Sequence, residues 1–329
     1  MYEEPAVSVK LPLVPMKEQL RRAGAAIGIP LLFLTVFSKY WLYLLCRLLA
    51  LFGISPVTVI AFLRENGIQE AIQIVLSVIL FIVPFSFSAW GAKKRVGDLI
   101  PTQKVPLQKG LPLFFFGVGV CAFANIAVSI AGQIFSFMGM EYSVDFGESP
   151  QGIYGFFLSV LATAVAPALV EEYATRGIVM GLLKPFGDGF SILVSAILFG
   201  VMHRNFEQMP FAFLVGLVLG FVRIATGSIW LCCLIHAFNN LISVIFDYCF
   251  AGLTVAETNA VYVVFLMILL LLGTVSLLFF RKENENLFSL STPEDQLPRG
   301  KKYRWFFSSI WILLFLVSAF WQACQFFVL

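Results

Sequence analysis

Apolar runs separated by short polar connections fill this chain from about residue 24 onward. About nine runs fall near 24–53, 70–92, 111–138, 153–183, 189–205, 208–225, 227–251, 258–280 and 305–326. A run of about 20 apolar residues, rising ~1.5 Å per residue as helix, crosses a ~30 Å hydrocarbon core. Lys39 and Arg47 interrupt the first run, which reads as a tilted span or as a span followed by an interfacial stretch. The pattern predicts an all-α, polytopic transmembrane helix bundle.

Composition agrees. Apolar residues are 60% of the chain and charged residues 12%, against roughly 45–50% and about 25% in soluble domains. The mean hydropathy of +0.91 belongs to a chain that lives in lipid. The basic residues sit in short connections and form no stripe with aromatics, so no nucleic-acid partner is expected. Six cysteines lie scattered in apolar segments without a C-x-x-C pair, and read as small packing residues. The polar stretch 1–22 has no short apolar core with a cleavage site, so no removable signal peptide is expected.

The net charge of +3 says little, but its distribution has a direction. Lys10, Lys17, Arg21 and Arg22 precede the first span; Lys93, Lys94, Arg95, Lys104 and Lys109 follow the second; Arg281, Lys282, Arg299, Lys301, Lys302 and Arg304 follow the eighth. The connection 139–152 instead carries Glu141, Asp145 and Glu148. The positive-inside rule then predicts a multi-pass cell-membrane protein with a cytosolic N-terminus and an external C-terminus. This organisation divides into a cytosolic segment 1–23, N-terminal spans 24–138, a core 139–252, and C-terminal spans 253–329 with a polar cytosolic loop 281–304. Gly216 and Gly220 form a G-x-x-x-G that would let two helices approach closely.

Ionisable residues inside spans are functional candidates by default, since a carboxylate at mid-helix costs about 3 kcal/mol on insertion scales. The fourth span holds Glu171, Glu172 and Arg176. The only two histidines lie in neighbouring spans, His203 four residues after Phe199 and His236 four residues before Asn240. Glu172 and Arg176 share a helix face at i, i+4, whereas Glu171 is turned about 100° away. Measured from the cytosolic ends of their spans, Glu171 lies about 18 Å in, His203 about 21 Å, and His236 and Asn240 about 14 and 20 Å. Polar residues from three helices thus reach a similar level and can line one intramembrane cavity, expected to open to the cytosol. Simpler readings stand beside this one: Glu172 with Arg176 as a structural ion pair, and the histidines and Asn240 as interhelical hydrogen bonds. Asp247 and Arg223 read as span-end residues that snorkel, Arg204 and Glu207 as an outer loop, and Tyr173 and Trp230 as packing or interfacial aromatics.

The order E-E-x-x-x-R, F-x-x-x-H, H-x-x-x-N on successive helices resembles the CAAX protease and bacteriocin-processing family, which includes the type II CAAX prenyl endopeptidases. The positions are Glu171, Glu172 and Arg176; Phe199 and His203; and His236 and Asn240, within roughly 155–245. The resemblance implies an intramembrane endopeptidase whose cavity faces the cytosol, acting on a membrane-associated peptide or lipidated protein. Amide hydrolysis needs an activated water, a proton carrier and oxyanion donors. Glu171 is the expected base, His203 the proton relay, and His236 with Asn240 the oxyanion donors, while Arg176 holds Glu172. No cofactor is expected in this scheme. A zinc alternative would use Glu171, His203 and His236 as ligands, though there is no H-E-x-x-H and a metal-bound glutamate is not also a free base. A proton- or peptide-coupled transporter and a non-catalytic immunity protein are the readings from other classes.

Overall fold

A computed structural model describes residues 15–63, 67–138, 141–142, 150–250, 252–283, 289–291, 298–325 and 327–328. Asp145, Glu148, the first 14 residues and much of the loop 281–304 lie outside the described residues.

The chain is a bundle of apolar helices. The N-terminal part comprises α1 (Met16–Ala50), the short α2 (Pro56–Leu63), α3 (Ile68–Gly91), α4 (Val96–Leu99) and α5 (Leu107–Phe137). The next span, Gly152–Phe186, is continuous but irregular. It consists of α6 (Gly152–Ser159), a π-helical turn Val160–Val165, α7 (Ala166–Glu172), a second π-turn Tyr173–Val179, α8 (Met180–Leu183) and a closing 3₁₀ turn. Then come α9 (Asp188–Val201), α10 (Gln208–Thr226), α11 (Trp230–Cys249), α12 (Val255–Glu283), α13 (Arg299–Phe307) and α14 (Ile310–Cys324). The described strands are a two-residue antiparallel pair, Glu141–Tyr142 against Phe327–Val328.

Among the described residues seven helices are long and apolar enough to cross a membrane, or eight if α13 and α14, bent by 77°, form one span. The expected span near 189–205 is helical, but α9 has only 14 residues, about 21 Å of rise. It is too short to cross a ~30 Å core. The outward faces are apolar, as lipid requires: Leu271, Leu278 and Phe279 of α12 are each more than 60% exposed.

The helices place the basic connections together at one end of the bundle. Thr102 after α4 bridges to Ser228 before α11, Lys302 of α13 donates to the Phe186 carbonyl, and Ser291 donates to Asp188 at the start of α9. Gly24 near the start of α1 packs against Ser309. At the opposite end, the Tyr248 hydroxyl donates to the Pro150 carbonyl and Lys39 to Gln325.

Close helix approach is set by glycine. A Cβ on Gly216 would lie 2.9 Å from the Ala196 Cα, and one on Gly220 would lie 3.2 Å from Ile192. The sequence motif therefore joins α10 to α9. A closer contact, which the sequence reading did not single out, joins α5 to α12: a Cβ on Gly273 would lie 2.6 Å from the Gly119 Cα. Backbone neighbours cannot yield as a flexible side chain does. Gly216→Leu should therefore lower the melting temperature of the detergent-purified protein, by an overpacking cost of about 1–3 kcal/mol; an unchanged Tm would contradict the packing described.

Candidate active site

The irregular span brings the two glutamates to the middle of the bundle. Glu171 and Glu172 end α7 between the two π-turns, and π-turns inside helices are frequent at functional sites. Their rotational offset separates the two carboxylates. Glu172 is fully buried, as is Arg176, and the Arg176 Nη1 donates to Glu172 Oε1 at 3.1 Å. The same nitrogen donates to Thr175 Oγ1 at 2.6 Å, and Nη2 donates to the Gly216 carbonyl at 3.3 Å. The guanidinium also lies 4.3 Å from the centre of the Phe199 ring, where a cation is attracted to the π-face.

His236 connects the two carboxylates. Its Nδ1 is 2.9 Å from Glu172 Oε1, and its Nε2 is 4.0 Å from Glu171 Oε2. The first is a hydrogen bond; the second is too long for one. Glu171 Oε2 is buried with no hydrogen-bond partner among the described residues. Phe199 packs edge-on to both imidazoles, with ring centres 5.1 Å from His203 and 5.9 Å from His236. His203 Nδ1 is 2.8 Å from the Phe199 carbonyl. A carbonyl only accepts, so Nδ1 carries the proton, and the neutral ring has Nε2 free to accept.

The short α9 explains how His203 reaches this level. The turn after α9 ends at mid-bundle, and Asn205 holds it: its Oδ1 accepts from the Gln208 amide at 2.7 Å, capping α10, and its Nδ2 donates to the His203 carbonyl at 3.2 Å. Arg204 occupies the left-handed region with φ 58°, uncommon for a residue with a side chain. Met202, His203, Arg204 and Gln208 form the floor of a cavity of about 610 Å³, together with Glu171. Its walls are α1, α2 and α3, including Leu34, Ser38, Ile60 and Leu76.

Several expectations change here. Arg223 does not snorkel: it is buried, its Nε donating to the Arg176 carbonyl at 2.8 Å. Its place near a span end hid the fact that α10 is covered there by the segment around Leu99, whose carbonyl it also reaches. Arg204 lies in the α9–α10 connection, as expected, but is half-buried there, its guanidinium donating to Ser38 of α1. Asn240 lies one turn beyond His236 and is already engaged: Nδ2 donates to the Thr163 carbonyl at 3.0 Å, and Oδ1 accepts from Asn239 at 3.1 Å. The α1–α3 wall and Asn205 were missed, since nothing in an apolar run or a lone amide marks them. Tyr173 is a packing aromatic, hydrogen-bonded at 2.6 Å to Ser86 of α3. Among the described residues no group of three His, Cys, Asp or Glu side chains is disposed to hold a metal ion.

The helices that carry these side chains lie inside one recognised segment. Residues 153–242 match the family model described as type II CAAX prenyl endopeptidase Rce1-like. That segment is similar to an Rce1-like domain. The match takes in the whole span of the glutamates, both histidines and Asn240, and supports a CAAX-type intramembrane protease in general terms. Comparison with curated proteins and with solved structures gave no match.

Breaking a buried pair leaves an uncompensated charge, at a cost of about 3–5 kcal/mol. Arg176→Met should thus lower stability sharply and reduce the amount of folded protein in the membrane. Arg176→Met combined with Glu172→Gln should recover part of that loss, as read by melting in detergent. A single variant as stable as the parent would show that the pair carries no structural charge balance.

Proposed function

We propose that this protein is an intramembrane endopeptidase that hydrolyses a peptide bond through a water activated by Glu171. The observation that carries the reading is the contrast between the two carboxylates. Glu172 is fully buried and engaged through Oε1 by Arg176 and His236, whereas Glu171 lines an open cavity; one buried oxygen of each carboxylate has no hydrogen-bond partner among the described residues. A general base needs a lone pair in reach of water and substrate, and Glu171 alone of the two meets that condition.

In this scheme the water lies against Glu171, which takes its proton as oxygen attacks the scissile carbonyl. His203 presents Nε2 to the same cavity and relays the proton to the leaving amine. His236, its Nδ1 held by Glu172, turns Nε2 toward the Glu171 side and donates to the developing oxyanion when protonated. Asn240 keeps the oxyanion role that its sequence spacing suggested: one N–H of its Nδ2 donates to the Thr163 carbonyl of the first π-turn, and the other can donate to the oxyanion. Phe199 sets the spacing of the two imidazoles, and Arg176 fixes Glu172.

The residues 139–252 form the catalytic core in this proposal, within a lipid-embedded, multi-pass protein whose N-terminus is cytosolic and C-terminus external. Its substrate is a membrane-associated peptide or a lipidated protein. The chemistry is assigned without a metal, since the available groups supply base, proton carrier and oxyanion donor.

Glu171→Ala and His203→Ala should each abolish cleavage of a co-expressed reporter peptide while the protein still accumulates in the membrane. Cleavage unchanged in Glu171→Ala would refute the mechanism. The purified enzyme should also keep its activity in a zinc chelator; activity lost there and restored by zinc alone would require the metal alternative.

A further inference from the structure

The cavity lies toward one end of the bundle, and it is not the end that the family resemblance implies. Its walls come from the half of α1 that follows Leu34 and from the part of α3 between Gln69 and Phe81. Those are the ends joined through α2, away from Lys17, Arg21 and Arg22 at the start of α1 and from Lys93, Lys94 and Arg95 after α3. The floor is the tip of α9, which starts at the basic end and rises only about 21 Å. Stopping short, it leaves space on its far side.

Toward the basic end the span of the glutamates is closely packed. Below the glutamates, Arg176, Ile178, Met180 and Leu183 are each fully buried. Arg223 closes the gap to Leu99 through its two backbone hydrogen bonds.

The charge bias fixes which end is which. Lysine and arginine crowd the first end, including Lys104, Lys109, Arg281, Lys282 and Lys301, whereas the other end holds Lys39 and Arg47 beside Glu70, Glu207 and Glu257. Basic connections stay in the cytosol. We therefore infer that the cavity opens on the extracytoplasmic side, and that the bond cleaved lies in the external flank of an exported or membrane-anchored chain, its apolar part held against walls such as Leu34, Leu42 and Leu76. The choice of a peptide bond rests on the protease reading; the direction of the opening does not.

Two measurements separate these parts. Cys249 and Cys324 are exposed, so both are first replaced by serine. In that background Gln69→Cys, at the cavity wall, and Lys94→Cys, at the basic end, are treated in intact cells with a membrane-impermeant maleimide. Labelling of Gln69→Cys with Lys94→Cys protected until the cells are opened supports the inference; the reverse pattern overturns it, whatever the enzyme does. Second, a single-span reporter carries the same cleavable flank on either its external or its cytosolic side. Cleavage of the external version alone, lost in Glu171→Gln, is expected. Cleavage of the cytosolic version alone overturns the sidedness, and cleavage indifferent to Glu171→Gln overturns the protease reading instead.

Discussion

A guanidinium with no access to solvent lies at the centre of this bundle, and the surrounding elements are arranged to tolerate it. Arg176 draws a carboxylate and a hydroxyl from its own span, a carbonyl from α10 and a ring face from α9. Its own carbonyl accepts from Arg223. Each contact offsets part of a desolvation cost that an isolated ion would not survive. The same set of contacts locks four helical segments in register, because Glu172 passes the constraint to α11 through His236.

Function follows from what this arrangement leaves over. Of two adjacent carboxylates, one is consumed by charge balance and the other is not. Adjacent residues on a helix differ by about 100° in direction, so the two cannot share one environment. The π-turns on either side of α7 and the early end of α9 then supply room. A regular helix in place of either feature would carry its side chains into packing with its neighbours. Arg204, held with a positive φ at the α9 tip, is a local backbone cost at the edge of the cavity.

Much of this was legible in the sequence because charge in an apolar run is conspicuous. Glu171, Glu172, Arg176, His203 and His236 stood out, and the i, i+4 spacing already paired Glu172 with Arg176. The length of α9 was not legible. Its apolar character runs on through Val201 and Met202, so hydropathy gives no sign that the helix stops at mid-bundle, where Asn205 caps the next one. Nor could hydropathy assign a wall of the cavity to α1 and α3, whose lining residues, such as Leu34 and Leu76, look like those facing lipid. Arg223 was misjudged because its partners are backbone carbonyls, those of Arg176 and Leu99, and a carbonyl leaves no trace in a side-chain pattern.

The central claim is that Glu171 activates water and does not itself attack the peptide. Single-turnover cleavage in water enriched in the heavy oxygen isotope tests this most directly, with mass spectrometry of the new product carboxylate and of the peptide containing Glu171. The account predicts the heavy oxygen in the product carboxylate from the first turnover, with the Glu171 side chain unlabelled. Unlabelled product with the label left on the Glu171 carboxyl would mean a covalent acyl intermediate, and would contradict it.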